Sequence, residues 1–217
     1  MTERGRLVGW TLLVTVLATI NYAARAAGGK PDKDVLYQYS AAAGGFLQYA
    51  LLLGIVLALA RGPGLRERLA LRRPKSWPRA LGLALGALVV VYVAAYALDQ
   101  VLHAAREQGL TPDHWEPDHA GAYAANFVVI AGLAPTVEEL TFRGLGFHLL
   151  RRYGDWIAIV LVGLTFGLVH GLIEGLPILA VFGACLAFVR SRTGSVYPGV
   201  LVHATFNSIA LVAAVTT

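Results

Sequence analysis

The segment ALGLALGALVVVYVAAYALDQVL, from Ala80 to Leu102, contains a single charged residue. An α-helix rises about 1.5 Å per residue, so a segment of this length crosses the hydrocarbon core of a bilayer, which is about 30 Å thick. Further apolar windows lie on both sides, and the sixth of the seven is short. The other six are Leu7–Ala24, Leu36–Ala60, Gly121–Leu140, Trp156–Leu172, Leu176–Val189 and Val196–Val215.

The composition also indicates a membrane protein. Of the 217 residues, 57% are hydrophobic and 14% charged, and the mean hydropathy is +0.62. No strand alternation competes with the apolar windows, and only α-helices and closed barrels satisfy their backbone inside a bilayer. The sequence therefore predicts an all-α fold: a polytopic transmembrane helix bundle of about seven spans, forming one membrane domain over residues 1–217. The first window imitates a signal peptide ending at Ala24-Arg25-Ala26, but its length favours a retained span.

The basic residues predict the orientation of the bundle. The net charge is +5, and its distribution is explained by membrane topology without nucleic-acid binding. With a cytoplasmic N-terminus, 14 of the 18 basic residues lie in cytoplasmic segments: Arg4, Arg6, Arg61, Arg66, Arg68, Arg72, Arg73, Lys75, Arg79, Arg143, Arg151, Arg152, Arg190 and Arg192. The four on the other side are Arg25, Lys30, Lys33 and Arg106. The positive-inside bias favours this orientation, membrane lipids are the expected partners, and the chain looks like a bacterial inner-membrane (plasma-membrane) protein.

Two adjacent carboxylates end the fourth window, in the sequence GLAPTVEELTFRG from Gly132 to Gly144. A charge at membrane depth costs a few kcal/mol, and such groups usually face the bundle interior and have a function there. At helical spacing Glu139 and Arg143 share a face and can form an ion pair, whereas Glu138 points about 100° away. We expect Arg143 to orient Glu139, and the poorly solvated Glu138 to be a general base. The alternative is a salt-bridged helix end without chemistry.

Two later windows add polar groups at helical spacing. His170 follows fourteen uncharged residues, and His203 shares a helix face with Asn207 four residues later. Taken alone, each of these two patterns is weak evidence for a functional site, because a lone histidine in an apolar helix is more often a hydrogen-bonded core residue. Together with the carboxylates they supply a base, a water-positioning group and oxyanion donors, as amide hydrolysis requires. The sequence has no H-E-x-x-H box and no G-x-S-x-G elbow.

These residues resemble the CAAX prenyl endopeptidase and bacteriocin-processing family (CPBP, also called Abi), which are multi-span intramembrane proteases. The family motifs are E-E-x-x-x-R, F-x-x-x-H and H-x-x-x-N/D. Glu138–Arg143, Phe166–His170 and His203–Asn207 match them in this order, and the motif-bearing helices cover residues 121–207. The resemblance covers none of the N-terminal half.

The resemblance implies a role for each matched residue. Glu138 would activate the attacking water with help from His170, while His203 and Asn207 would stabilise the tetrahedral oxyanion. Glu139 and Arg143 would brace this site. The substrate would be a peptide or protein with a hydrophobic or lipidated segment.

A zinc ion is the cofactor that the resemblance leaves open. His170, His203 and Glu138 would be its ligands, although a metal-free mechanism is slightly preferred. Two other functions are also open: a proton- or ion-coupled transporter that uses these three residues, and a non-catalytic binder of hydrophobic helices. The chain halves show no internal repeat, which disfavours a transporter.

The depth of the two histidines is a further constraint. Counted from Trp156, His170 would lie about 21 Å along its helix, whereas His203 would lie about 10 Å from Val196. The helices must therefore be staggered, tilted or broken near Pro135, Pro177 or Pro198 for these side chains to meet.

Overall fold

A computed structural model describes residues 1–28, 34–102, 107, 112 and 114–216, so Lys30, Lys33 and Arg106 lie outside the described residues. The regular structure of this part is entirely helical, which confirms the predicted all-α bundle. The helices are α1 (Glu3–Ala26), α2 (Tyr39–Ala60), α3 (Leu65–Arg68), α4 (Trp77–Leu102), α5 (Pro117–Tyr153), α6 (Asp155–Leu168), α7 (Leu176–Thr193) and α8 (Tyr197–Thr216).

Among the described residues, six helices are long and apolar enough to cross a membrane, namely α1, α2, α4, α5, α7 and α8. The fifth predicted window, Trp156–Leu172, forms α6, which has only 14 residues. The prediction that the sixth window is the short one was wrong. Its helix α7 continues past the apolar window to Thr193, whereas α6 ends at Leu168 and is followed by Gly171 with φ +67°.

The helix α5 contains two π-helical segments, Val128–Leu133 and Leu140–Gly146. The first immediately precedes Pro135, which has no N–H to donate. The N–H of Ala134 bonds to the carbonyl of Val129, one residue further back than in an α-helix. The carbonyl of Ile130 therefore loses its usual helical donor. The predicted break near Pro135 is this π-helical segment, not an interruption of the helix.

The segments predicted to be cytoplasmic meet at one end of the bundle. Arg6 donates to the carbonyls of Leu59 and Arg61, and Arg72 Nε donates to the carbonyl of Gly194 at 2.7 Å. At the other end, Arg25 forms an ion pair with Glu107. Arg143 is the exception among the residues assigned to this charged end, because it is buried within the bundle and adds no surface charge.

The helices α6 and α7 are in backbone contact. A Cβ atom on Gly163 would lie 2.7 Å from the carbonyl oxygen of Ala180, and one on Gly183 would lie 2.8 Å from Cα of Gly163. Small residues permit such close packing of helices in membranes. This contact brings the face of α6 that carries Phe166 toward α5 and α8.

Candidate active site

The predicted ion pair between Glu139 and Arg143 forms the buried base of the site. Arg143 Nη1 donates to Glu139 Oε1 at 2.8 Å, and both side chains have 0% exposure. Arg143 Nη2 donates to the carbonyl of Gly183 at 3.1 Å, which ties the pair to α7. A Cβ on Gly199 would lie 2.5 Å from Glu139 Oε2, so α8 packs directly on the carboxylate.

The imidazole of His203 lies between the two carboxylates. Its Nδ1 is 3.2 Å from Glu139 Oε1, and its Nε2 is 3.7 Å from Glu138 Oε2. A carboxylate accepts only, so Nδ1 carries the hydrogen that it shares with Glu139. His203 is thereby held by the buried carboxylate and presents Nε2 to Glu138.

Glu138 differs from its neighbour in solvation and in partner. Its side chain retains 13% exposure, whereas that of Glu139 retains none. The hydroxyl of Tyr49 on α2 donates to Glu138 Oε1 at 2.7 Å. Sequence reasoning missed Tyr49, which lies outside every motif. The only signal was a tyrosine hydroxyl in an apolar window, where such a group usually finds a hydrogen-bond partner.

The aromatic ring of Phe166 joins the three motifs. The guanidinium of Arg143 lies over one face, 4.3 Å from the ring centre. The ring of His170 lies 4.7 Å from it and that of His203 5.7 Å from it, measured between ring centres. Phe166 therefore contacts all of these polar groups.

His170 lies in the turn after α6 and not within the helix, which corrects the estimate of about 21 Å along a continuous span. Its Nδ1 lies 2.7 Å from the carbonyl oxygen of Phe166. Because a carbonyl only accepts, Nδ1 is the donor, and in the neutral ring Nε2 is left with a lone pair. Asn21 on α1 donates to the carbonyl of Val169 at 2.5 Å and so supports this turn.

Asn207 lies one turn beyond His203 on α8. Its Nδ2 donates at 2.8 Å to the carbonyl of Ile130, the group that the π-helical segment leaves without its usual donor. An amide nitrogen carries two hydrogens, so one remains for another acceptor. Asn207 is half-buried.

Direct contacts thus join Glu138, Glu139, Arg143 and His203. His170 is connected to them through Phe166, and Asn207 through its position on α8.

Zinc ligation by His170, His203 and Glu138 requires three donor atoms around one point. Within the described ranges, no group of three His, Cys, Asp or Glu side chains has that arrangement. The Nδ1 atoms of His203 and His170 are engaged by Glu139 and by a backbone carbonyl, which leaves their Nε2 atoms as the available donors. In this conformation, however, the side chains of His170, His203 and Glu138 are not gathered around one point.

Comparison with known proteins identifies the same half of the chain. Residues 120–209 match the family described as type II CAAX prenyl endopeptidase Rce1-like. Neither a curated protein nor a solved structure matches the chain. With its apolar helices this match indicates an integral membrane protein. This match supports the resemblance of residues 120–209 to the CPBP family of intramembrane endopeptidases.

Proposed function

We propose that this protein hydrolyses a peptide bond of a membrane-associated substrate, with Glu138 as the general base that activates water. The proposal rests on the difference in solvent exposure between the two carboxylates. Glu139 is enclosed and bound by Arg143 and His203, whereas Glu138 retains 13% exposure. A general base must be reachable by the water that it deprotonates, and Glu138 meets this condition.

In the first step, Glu138 takes a proton from water while the water oxygen attacks the carbonyl carbon of the scissile bond. The carbonyl π electrons move to oxygen and form an oxyanion. Nε2 of His170 is the acceptor that orients the water, since its Nδ1 is engaged. In the second step the C–N bond breaks, and Glu138 returns the proton to the leaving amine.

The oxyanion requires donors from α8. The second amide hydrogen of Asn207 is one, because the first is bonded to Ile130. His203 is the other when its ring is doubly protonated, because Nδ1–H is bonded to Glu139 and the second hydrogen lies on Nε2. Once Glu138 has taken the proton from water, this Nε2–H is available to the oxyanion. Arg143 and Glu139 hold the His203 ring in position throughout.

The proposed substrate is a peptide or protein with a hydrophobic or lipidated segment, because the site lies among apolar helices. The proposed location is a bacterial inner membrane with the N-terminus in the cytoplasm, which the basic end of the bundle supports. This mechanism requires no metal ion.

The test compares Glu138→Gln with Glu174→Gln in proteoliposomes. Glu174 is exposed in the turn before α7, lies outside the three motifs and provides the same chemical change. A library of prenylated and unmodified hydrophobic peptides is added, and new termini are identified by mass spectrometry. We expect cleavage by the wild type and Glu174→Gln and none by Glu138→Gln. Undiminished cleavage by Glu138→Gln would exclude Glu138 as the base.

A further inference from the structure

A cavity of about 360 Å³ lies at the basic end of the bundle, and Glu138 is not part of its lining. Four arginines line it: Arg72 after α3, Arg151 and Arg152 at the end of α5, and Arg190 on α7. The other lining residues are Glu3, Glu67, His148 and Leu149. No step of the proposed peptidase mechanism uses any of these side chains.

Arg190 is the deepest of the four cations, with 4% exposure. Its Nε donates to the carbonyl of Arg143 at 3.1 Å, which fixes the guanidinium at the cavity wall. Within the part of the chain that the structure describes, no carboxylate forms an ion pair with Arg190, and its two terminal nitrogens have no hydrogen-bond partner. These terminal nitrogens are not sealed in the protein interior but open to the cavity, where their unused hydrogens can bind an anion.

The acidic side chains at the cavity do not neutralise it. Four guanidinium groups face two carboxylates, and Arg151 also pairs at 3.7 Å with Asp155, which lies outside the lining. Even with this third carboxylate counted and His148 neutral, the charge at the cavity is positive. Glu3 is already paired with Arg6 at 3.2 Å and lies 3.9 Å from Arg68, both outside the lining. The positively charged cavity therefore attracts an anion.

Two exposed aromatic residues show the depth of the opening. Tyr153, which directly follows Arg152, is 52% exposed, and Trp156, three residues later at the start of α6, is 66% exposed. Exposed Tyr and Trp side chains in membrane proteins concentrate at the level of the lipid headgroups. A phosphate at this level is within reach of the planar guanidinium donors, which bind phosphate in a bidentate manner.

We propose that this cavity, with Arg190 at its base and Arg72, Arg151 and Arg152 around it, binds the phosphate of an anionic phospholipid headgroup. The chemistry is shared with free inorganic phosphate, but the opening at headgroup level favours the lipid. The site also touches the catalytic helix, because Arg190 is bonded to the carbonyl of Arg143.

Binding is measured directly, so the result does not depend on whether the protein is a peptidase. The full chain is purified in a zwitterionic detergent and titrated with fluorescent dioleoylphosphatidylglycerol, with dioleoylphosphatidylcholine as the neutral lipid and inorganic phosphate as competitor. Arg190→Gln removes the deep cation, and Arg151→Gln removes an exposed one if the first variant does not fold. Arg66→Gln is the matched control, because Arg66 is exposed and does not line the cavity.

We expect phosphatidylglycerol to bind and phosphatidylcholine to bind at least tenfold more weakly. Arg190→Gln should weaken phosphatidylglycerol binding about tenfold, since one charged partner of the phosphate is lost. Arg151→Gln should weaken it severalfold and Arg66→Gln less than twofold. If Arg66→Gln weakened phosphatidylglycerol binding as much as the cavity variants do, the assignment of the cavity as the binding site would be wrong. Millimolar phosphate that displaces the lipid completely and stabilises the protein alone would overturn the assignment to a lipid headgroup.

Discussion

The guanidinium carbon of Arg143 lies 4.3 Å from the centre of the Phe166 ring. Both side chains have 0% exposure, so the cation is desolvated on the face that the ring covers. Within the described residues, Nε of Arg143 has no hydrogen-bond partner, and the ring is the group that lies against it. A cation over an aromatic face gains about 2 kcal/mol or more when desolvated.

Replacing Phe166 by leucine tests this contact. Phe166→Leu should lower the free energy of unfolding by about 2 kcal/mol, because the cation–π contact is lost and the ring volume is only partly refilled. Thermal unfolding in detergent measures the change. Phe188→Leu is the control, since Arg192 lies 4.9 Å from the centre of that ring at a partly exposed position. Equal destabilisation of the two variants would contradict a special role for the buried contact.

Removing the hydroxyl of Tyr49 should weaken catalysis without changing substrate binding. The hydroxyl orients Glu138 through a 2.7 Å hydrogen bond, and a misaligned base lowers the rate of the chemical step. We expect Tyr49→Phe to lose about tenfold in kcat with KM unchanged. Tyr96→Phe deletes a hydroxyl from a side chain that is 73% exposed and should be neutral. A change in KM alone would assign Tyr49 to substrate binding instead.

Asn207→Ala should affect both stability and rate. It removes the donor to Ile130, at a cost of about 1 kcal/mol in unfolding free energy. It also removes one proposed oxyanion donor, for which about 10²-fold to 10³-fold in kcat is expected. Ser208→Ala is the control, because that hydroxyl bonds only to the carbonyl of Ala204 on its own helix. Unfolding curves and peptide cleavage are measured on the same preparations, and an unchanged kcat would exclude the oxyanion role.

A methyl group added at Gly199 should disrupt the site by displacing the Glu139 carboxylate. Its Cβ would lie 2.5 Å from Glu139 Oε2, so α8 or the carboxylate must shift and the contact with His203 must lengthen. We expect Gly199→Ala to lose about 2 kcal/mol of stability and most of its activity. Gly86→Ala on α4 meets nothing within 4 Å and should gain about 0.5–1 kcal/mol from helix propensity. Activity that survives in Gly199→Ala would show that Glu139 need not hold His203.

The orientation of the bundle is tested by labelling single cysteines in intact cells, in a Cys185→Ala background. Ser76→Cys, in the basic loop before α4, should react only with a membrane-permeant reagent. Asp118→Cys, at the opposite end, should react with an impermeant one. The reverse pattern would contradict a cytoplasmic N-terminus.

Much of the site could be predicted because it depends on the spacing of residues within single helices. The i and i+4 spacing of Glu139 and Arg143 predicts their ion pair, and the same spacing places His203 and Asn207 on one face of α8. The convergence of α5, α6 and α8 follows from glycines that allow close packing. These are properties of single helices and of residue size, which a sequence displays directly.

The remaining features depend on contacts between distant segments. Tyr49 and Asn21 come from helices without any motif, and nothing in their surroundings shows which group they bond. The π-helical segment before Pro135 arises from a missing N–H, but its partner Asn207 lies on another helix. The length of α6 was also overestimated, since hydropathy continues through Leu172 although the helix ends at Leu168. Apolar composition does not distinguish a helix from the turn that follows it.

The 14 residues of α6 span about 21 Å, roughly 9 Å less than an average hydrocarbon core. Its outer face bears Ile157, Val160 and Leu164, all of which are exposed in the bundle and therefore face acyl chains. We therefore expect the bilayer beside α6 to be locally thin, with water and headgroups closer to His170 than elsewhere. On this basis we expect membranes of short-chain lipids to favour the proposed hydrolysis over thick ones.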